Sequence, residues 1–168
     1  MAVMVIGATV LFNTVLLFSA MRAQRTILVP ICLQKTFEVT GSQVSEEYMR
    51  ELLRYTMNLA QNYSPATARS QFDALLALFA PAEFPKAHKA YYDLADAVES
   101  GKVTNVFYPH EMKVHHSKQR AEVSGLVRQY TGEILMENST QTFIVDYAVV
   151  DGNVQIKQIL KREQAYRD

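Results

Sequence analysis

Tryptophan is absent from this 168-residue chain, cysteine occurs once, and 17 Lys plus Arg balance 17 Asp plus Glu to leave no net charge. With Cys32 alone, no intrachain disulfide can form, and packing must hold the fold. Cys32 sits in the apolar stretch 27–33 with no base beside it, which describes a buried inert thiol rather than a nucleophile. Balanced charge excludes the strong field of a nucleic-acid binder, so no direct nucleic-acid partner is expected. The sequence also lacks repeats, a Gly-rich phosphate loop, a nucleophile elbow and a paired-carboxylate motif. No catalytic residue, cofactor or metal ligand is assigned.

Long apolar runs are missing too, except for Met1 to Met21, which carries no charge. As a helix it would be about 30 Å long, the thickness of a bilayer's hydrocarbon core. The expectation is an uncleaved transmembrane anchor over 1–21, its lipid-facing bulk supplied by Val3, Val5, Ile6, Val10, Leu11, Phe12, Val15, Leu16, Leu17 and Phe18. A cleavable signal fits poorly: no basic residue precedes the run, and cuts after Ala20 or Ala23 would put Phe18 or Met21 where a small side chain belongs. A buried core helix fits less well still, because the run has no wet face. Asn13 within it needs a partner on a neighbouring helix or its own backbone, and Gly7, Ala8, Ser19 and Ala20 permit close helix packing. Arg22 and Arg25 follow the run, and by the positive-inside rule would turn the rest toward the cytoplasm. The missing basic flank before Met1 leads to the expectation that the native chain starts upstream.

Residues 22–35 read as a juxtamembrane connector containing Pro30, and 36–168 as one α+β domain. A short strand is expected at Thr36 to Val39. Ser45 before Glu46 and Glu47 predicts a capped helix with Tyr48, Leu52, Leu59 and Tyr63 near one face, widened by Met49 and Leu53. Ser64-Pro65 predicts a second, with Phe72, Leu75, Leu76 and Phe79 as its buried stripe and Pro81 as its stop. A third runs from Pro85 to Gly101, with Phe84, His88, Tyr91, Ala95 and Val98 on one face.

The period then changes. Thr104 to His115, Ala121 to Thr131, Gln141 to Val150 and Val154 to Leu160 are strand-like, and Asp151-Gly152 supplies a tight hairpin. Helices first and antiparallel strands second make an α+β fold, with three helices packed on a curved antiparallel sheet.

Candidate chemistry is sparse. His110, His115 and His116 invite a metal reading, but adjacent strand residues face opposite ways and no cysteine supports them. His88 on an apolar stripe reads as a hydrogen-bonded core residue. Asp146, among Phe143, Ile144, Val145 and Tyr147, could be a desolvated general base assisted by Tyr130 or Tyr147; the blander reading puts it on the solvated face of an alternating strand or pairs it with Arg128 or Lys157. Nine Tyr and eight Phe suit protein interfaces as well as cores. Tyr91 and Tyr92, about 100° apart on a helix, cannot both face inward. They form one candidate partner surface, and Phe107, Tyr108 and Met112 another.

The N-terminal run, the segment RTILVPICLQKTFEVTG, the helix pair SEEYMRELLRYTMNLAQNYSP, the KVTNVFYP lead-in to the sheet and the ending DGNVQIKQILKRE resemble the TraE family of conjugative type IV secretion systems. The resemblance spans nearly the whole chain. It implies a single-pass protein of the bacterial inner membrane with a nuclear-transport-factor-2-like domain in the periplasm, opposite to the sense of the Arg22 and Arg25 count. It also implies a non-enzymatic scaffold that self-associates and contacts membrane lipid and other secretion subunits. The Asn-Pro-X-Gly turn of agrobacterial-type relatives is absent, so none of their interface positions is carried over. The rival reading is a membrane-tethered enzyme or small-ligand binder using a pocket near Asp146.

Overall fold

The structure, a computed structural model, describes residues 39–40 and 43–165. The expected anchor 1–21 and connector 22–35 lie outside them. Among the described residues, no helix is long and apolar enough to cross a membrane. The chain divides into two units, residues 1–40 and 41–168. Of the first, only strand β1 (Val39–Thr40) is described.

The second unit opens with β2 (Gln43–Val44) and helix α1 (Glu46–Gln61). Ser45 caps α1 as expected, its hydroxyl accepting from the Tyr48 amide, while Glu46 and Glu47 sit at the positive end of the helix dipole. The inward side of α1 is Met49, Leu53, Met57, Leu59 and Ala60, so of the expected face Met49, Leu53 and Leu59 are buried, as is Tyr63 just beyond the helix, whereas Tyr48 and Leu52 are only half-buried.

Helix α2 (Ala68–Leu76) starts later than Ser64-Pro65 suggests. The Ser64 carbonyl accepts from the Thr67 and Ala68 amides, at 3.0 and 2.9 Å, winding one turn before the regular helix begins. The helix also ends well before Pro81. Helix α3 (Phe84–Gly101) carries Pro85 in its first turn, where the missing N–H costs nothing, and closes on Lys102 in the left-handed conformation. Its buried face is Ala87, Ala95 and Val98, whereas Phe84 is 41% exposed.

Four strands follow as an antiparallel meander in the order β3 (Val103–His115), β4 (Arg120–Thr131), β5 (Ile134–Val150), β6 (Asn153–Lys161). A 3₁₀ turn, His116–Lys118, joins β3 to β4, and a short helix α4 (Arg162–Ala165) follows β6. Asp151 and Gly152 both take positive φ, 50° and 78°, as a two-residue hairpin between Val150 and Asn153 requires. A second two-residue hairpin, at Gly132-Glu133 with only Gly132 at positive φ, starts β5 seven residues before the Gln141 expected from sequence.

The helical half is fastened to both edges of the sheet. After α1, Tyr63 exchanges two backbone hydrogen bonds with Asn105 on edge strand β3, at 3.0 and 2.8 Å. After α2, Ala80 donates to the Ile156 carbonyl and Ile156 to that of Leu78, both at 2.8 Å, on edge strand β6. Between these clamps, α1 and the end of α2 bury Leu53, Met57, Leu75 and Phe79 with Val123, Phe143, Val145 and Tyr147 of the sheet. Tyr63, Phe72, Ala95 and Val98 form a smaller cluster joining α2 and α3.

Candidate functional site

A cleft of about 590 Å³ opens between α3 and the inner face of the sheet. Phe79, Tyr91, Leu94, Val127 and Phe143 give it an apolar lining, and Glu83, Lys86, Glu137, Lys157 and Lys161 give it charged groups. Glu137 accepts from Ser139 at 2.8 Å and from the Gln141 amide nitrogen, leaving Gln141 Oε1 buried without a hydrogen-bond partner. Burial holds the Tyr91 phenol well above its usual range, with Tyr63 adding to the effect. The Tyr63 phenol is raised by burial first and by the Glu137 carboxylate second. A phenol so raised stays protonated at neutral pH, so neither tyrosine serves as a base.

Asp146 lies outside this cleft. It faces Arg120 across β4 and β5, accepting from Nε and Nη2 at 2.6 and 3.0 Å, and accepts from Gln158 Nε2 at 2.8 Å. The expected partner Arg128 donates instead to Asn138, at 3.4 Å. Burial pushes the Asp146 carboxyl up, but the hydrogen bonds from Arg120 and Gln158 and the charges of Arg120 and Lys157 outweigh it, and the net shift is downward. A carboxylate held ionised this way is a poor proton acceptor. Tyr147 is buried beside it, its phenol raised by burial. Tyr130 lies on β4, near the Gly132 turn.

The predicted surface residues part company. Tyr91 turns inward, its ring 5.2 Å from Phe72 and 6.0 Å from Phe79. Tyr92 is half-buried, donates its hydroxyl to Asp73 at 2.8 Å, and stacks on His88 at 4.2 Å. Phe107 is only 2% exposed, so it belongs to the core: its ring meets Phe143 edge-on at 5.2 Å. Tyr108, two residues before the bulge in β3, is 52% exposed, while Met112 packs partly against the core.

His88 is half-buried, stacked against Tyr92. With Phe84 and Tyr92 it forms an aromatic ridge at i, i+4 and i+8 along α3, a spacing visible in the sequence but assigned there to the core. Arg69 of α2 braces the same region, with Nε and Nη2 on Glu99 at 2.7 and 2.9 Å and Nη2 on Asp96 at 2.6 Å. These bonds raise its guanidinium further above an already high pKa, Glu99 contributing most. His110 is the unpaired residue at the β3 bulge, His115 ends β3, and His116 begins the 3₁₀ turn. Sequence reasoning missed one further feature: Ile134, Leu135 and Met136 at the β4–β5 hairpin tip are 67%, 49% and 63% exposed.

Three helices clamped onto a four-stranded meander define an α+β domain of the kind found in type IV secretion components. The TrwG component from Bartonella birtlesii has this fold, with a TM-score of 0.61 at 16% identity over 73% of this chain and 94% of that one. So does the periplasmic domain of DotI, at 0.55 and 14% over 71% and 96%. The chain belongs to the TraE family, whose model, TraE protein, matches residues 1–161. Protein TraE of Salmonella typhi is 23% identical over 141 residues, 84% of this chain and 75% of that protein. The family is one of structural components of type IV secretion.

Proposed function

We propose that this chain is a non-enzymatic assembly subunit of a conjugative type IV secretion system, scaffolding the inner-membrane and periplasmic parts of the machine that transfers DNA and builds the pilus. The family match over residues 1–161 carries the reading, because it includes the apolar run as well as the α+β domain. Residues 1–21 anchor the chain in the bacterial inner membrane, residues 22–35 connect, and residues 36–168 form the periplasmic domain. The periplasmic domain of DotI, which shares the fold, supports that side of the membrane. The domain associates with copies of itself and with other secretion subunits. Tethering to one membrane raises effective concentration, so weak lateral contacts suffice. Tyr108 is the predicted contact residue that remains exposed, and Tyr92 and Met112 are half-buried.

The cleft favours a second reading, a membrane-tethered ligand binder. It does so at Glu137 and Gln141 rather than at Asp146, whose carboxylate is engaged by Arg120 and Gln158. Crosslinking in intact donor envelopes, followed by identification of the captured proteins, tests the first reading. Other secretion subunits should be captured; a chain that captures none of them while transfer proceeds would overturn it.

A further inference from the structure

Strand β5 outruns its neighbour on one side. Strand β6 pairs only with Phe143–Val150, so among the described residues no strand pairs with the outer edge of 134–142, and helix α4 lies beside β5 where β6 ends. That stretch, ILMENSTQT, contains no Pro, Lys or Arg, the residues that usually keep an edge strand from pairing with another chain. At its tip stand Ile134, Leu135 and Met136, large apolar side chains left in water.

We propose that this edge joins two copies of the chain, strand to strand and antiparallel, about a twofold axis at Ser139. The proposal rests on the self-association argued above and names its surface. A twofold axis perpendicular to the sheet keeps both inner faces on the same side, and it must pass through one residue that pairs with its own copy. The bulge opposite Gln129 and Tyr130 ends the regular edge at Glu137, and the pairing of Phe143 with Lys161 closes the other end. Ser139 and Thr140 flank the midpoint of what remains, 137–142; an axis at Thr140 would set Glu137 against Phe143, already paired with Lys161, and only one at Ser139 sets it against an open position. That axis sets Asn138 against Thr140, and Glu137, the only charge in the stretch, against Gln141. Within one chain the Gln141 amide already donates to the Glu137 carboxylate, so the same chemistry is available across the seam. An axis at Glu137 would oppose two carboxylates. With the axis at Ser139, Met136 falls opposite Thr142, and each strand then abuts Lys161 at the end of β6 in the other copy.

The intact chain, purified in detergent with Cys32→Ser, tests this. Under mild oxidation Ser139→Cys should form a disulfide dimer about tenfold faster than Lys89→Cys on α3, since only at the axis do identical residues face within bridging distance. Ser139→Lys, which sets two ammonium groups opposite each other, should lower the dimer fraction about tenfold at unchanged circular dichroism. Ser139→Cys crosslinking no faster than Lys89→Cys would overturn the edge pairing. If lysine-directed crosslinking still yields dimers in that case, only this surface falls; if it yields none, self-association falls with it.

Discussion

Arg120 and Asp146 stand opposite each other on β4 and β5, locked by two guanidinium hydrogen bonds of 2.6 and 3.0 Å to one carboxylate. The Asp146 side chain keeps 15% of its surface exposed and Arg120 38%, so the pair is partly shielded from solvent screening. The carboxylate is therefore a structural group of the sheet.

Its lowered pKa fixes the direction of a pH effect. A carboxyl that is more acidic folded than unfolded stabilises the fold above its unfolded pKa of about 3.9, and this stabilisation is lost as pH falls through the folded value. Thermal unfolding of the intact chain should show stability declining below about pH 4, and Asp146→Asn should flatten that decline. At neutral pH the same substitution should cost about 1–3 kcal/mol, because Arg120 loses its charged acceptor.

Gly125 is held by its neighbours rather than by its backbone angles. A Cβ there would lie 2.6 Å from the Tyr108 carbonyl oxygen and run into the Phe107 ring. Gly125→Ala should destabilise by about 1–3 kcal/mol, measured by denaturant unfolding. Phe107→Leu should recover part of that loss in the double variant, although alone it opens a cavity.

Asn105 and Asn62 fix the β3 clamp. Asn105, 3% exposed, donates Nδ2 to the Gln61 carbonyl at 2.5 Å, and Asn62 Oδ1 accepts from the Phe107 amide at 2.5 Å. Asn105→Ala should leave the Gln61 carbonyl unpaired in a partly buried site and cost about 1–3 kcal/mol. Hydrogen exchange checks the mechanism: protection should fall first at the amides of Tyr63 and Asn105, which bond each other's carbonyls.

Much of this architecture was legible from local chemistry. Ser45 with Glu46 and Glu47, Pro85, and Asp151-Gly152 each specify a backbone event by themselves, and each appears where expected. What stayed hidden depends on partners distant in sequence. Arg120 rather than Arg128 meets Asp146 because register, set by bulges at 109–111, 129–130 and 146–147, decides which side chains oppose. Phe107 is core because Gly125 leaves room for its ring, a fact no pattern within 104–115 contains. His88 shares its spacing with the buried stripe of α3, yet lies on the flank where Tyr92 covers it. The exposed tip Ile134 to Met136 follows from the turn at Gly132, whose φ of 59° begins the hairpin.

The central claim is that this chain works through its contacts and not through chemistry in its cleft. Conjugative transfer from donors lacking the gene, complemented by single variants of the full chain, tests it most directly. Glu83→Gln, Lys86→Met and Lys157→Met, all lining the cleft, at levels matching the parent, should each restore transfer to within about threefold, since none removes a group that reacts. Loss of transfer by about a hundredfold in any one of them, with envelope crosslinks and folding intact, would contradict the account and assign the cleft the working role.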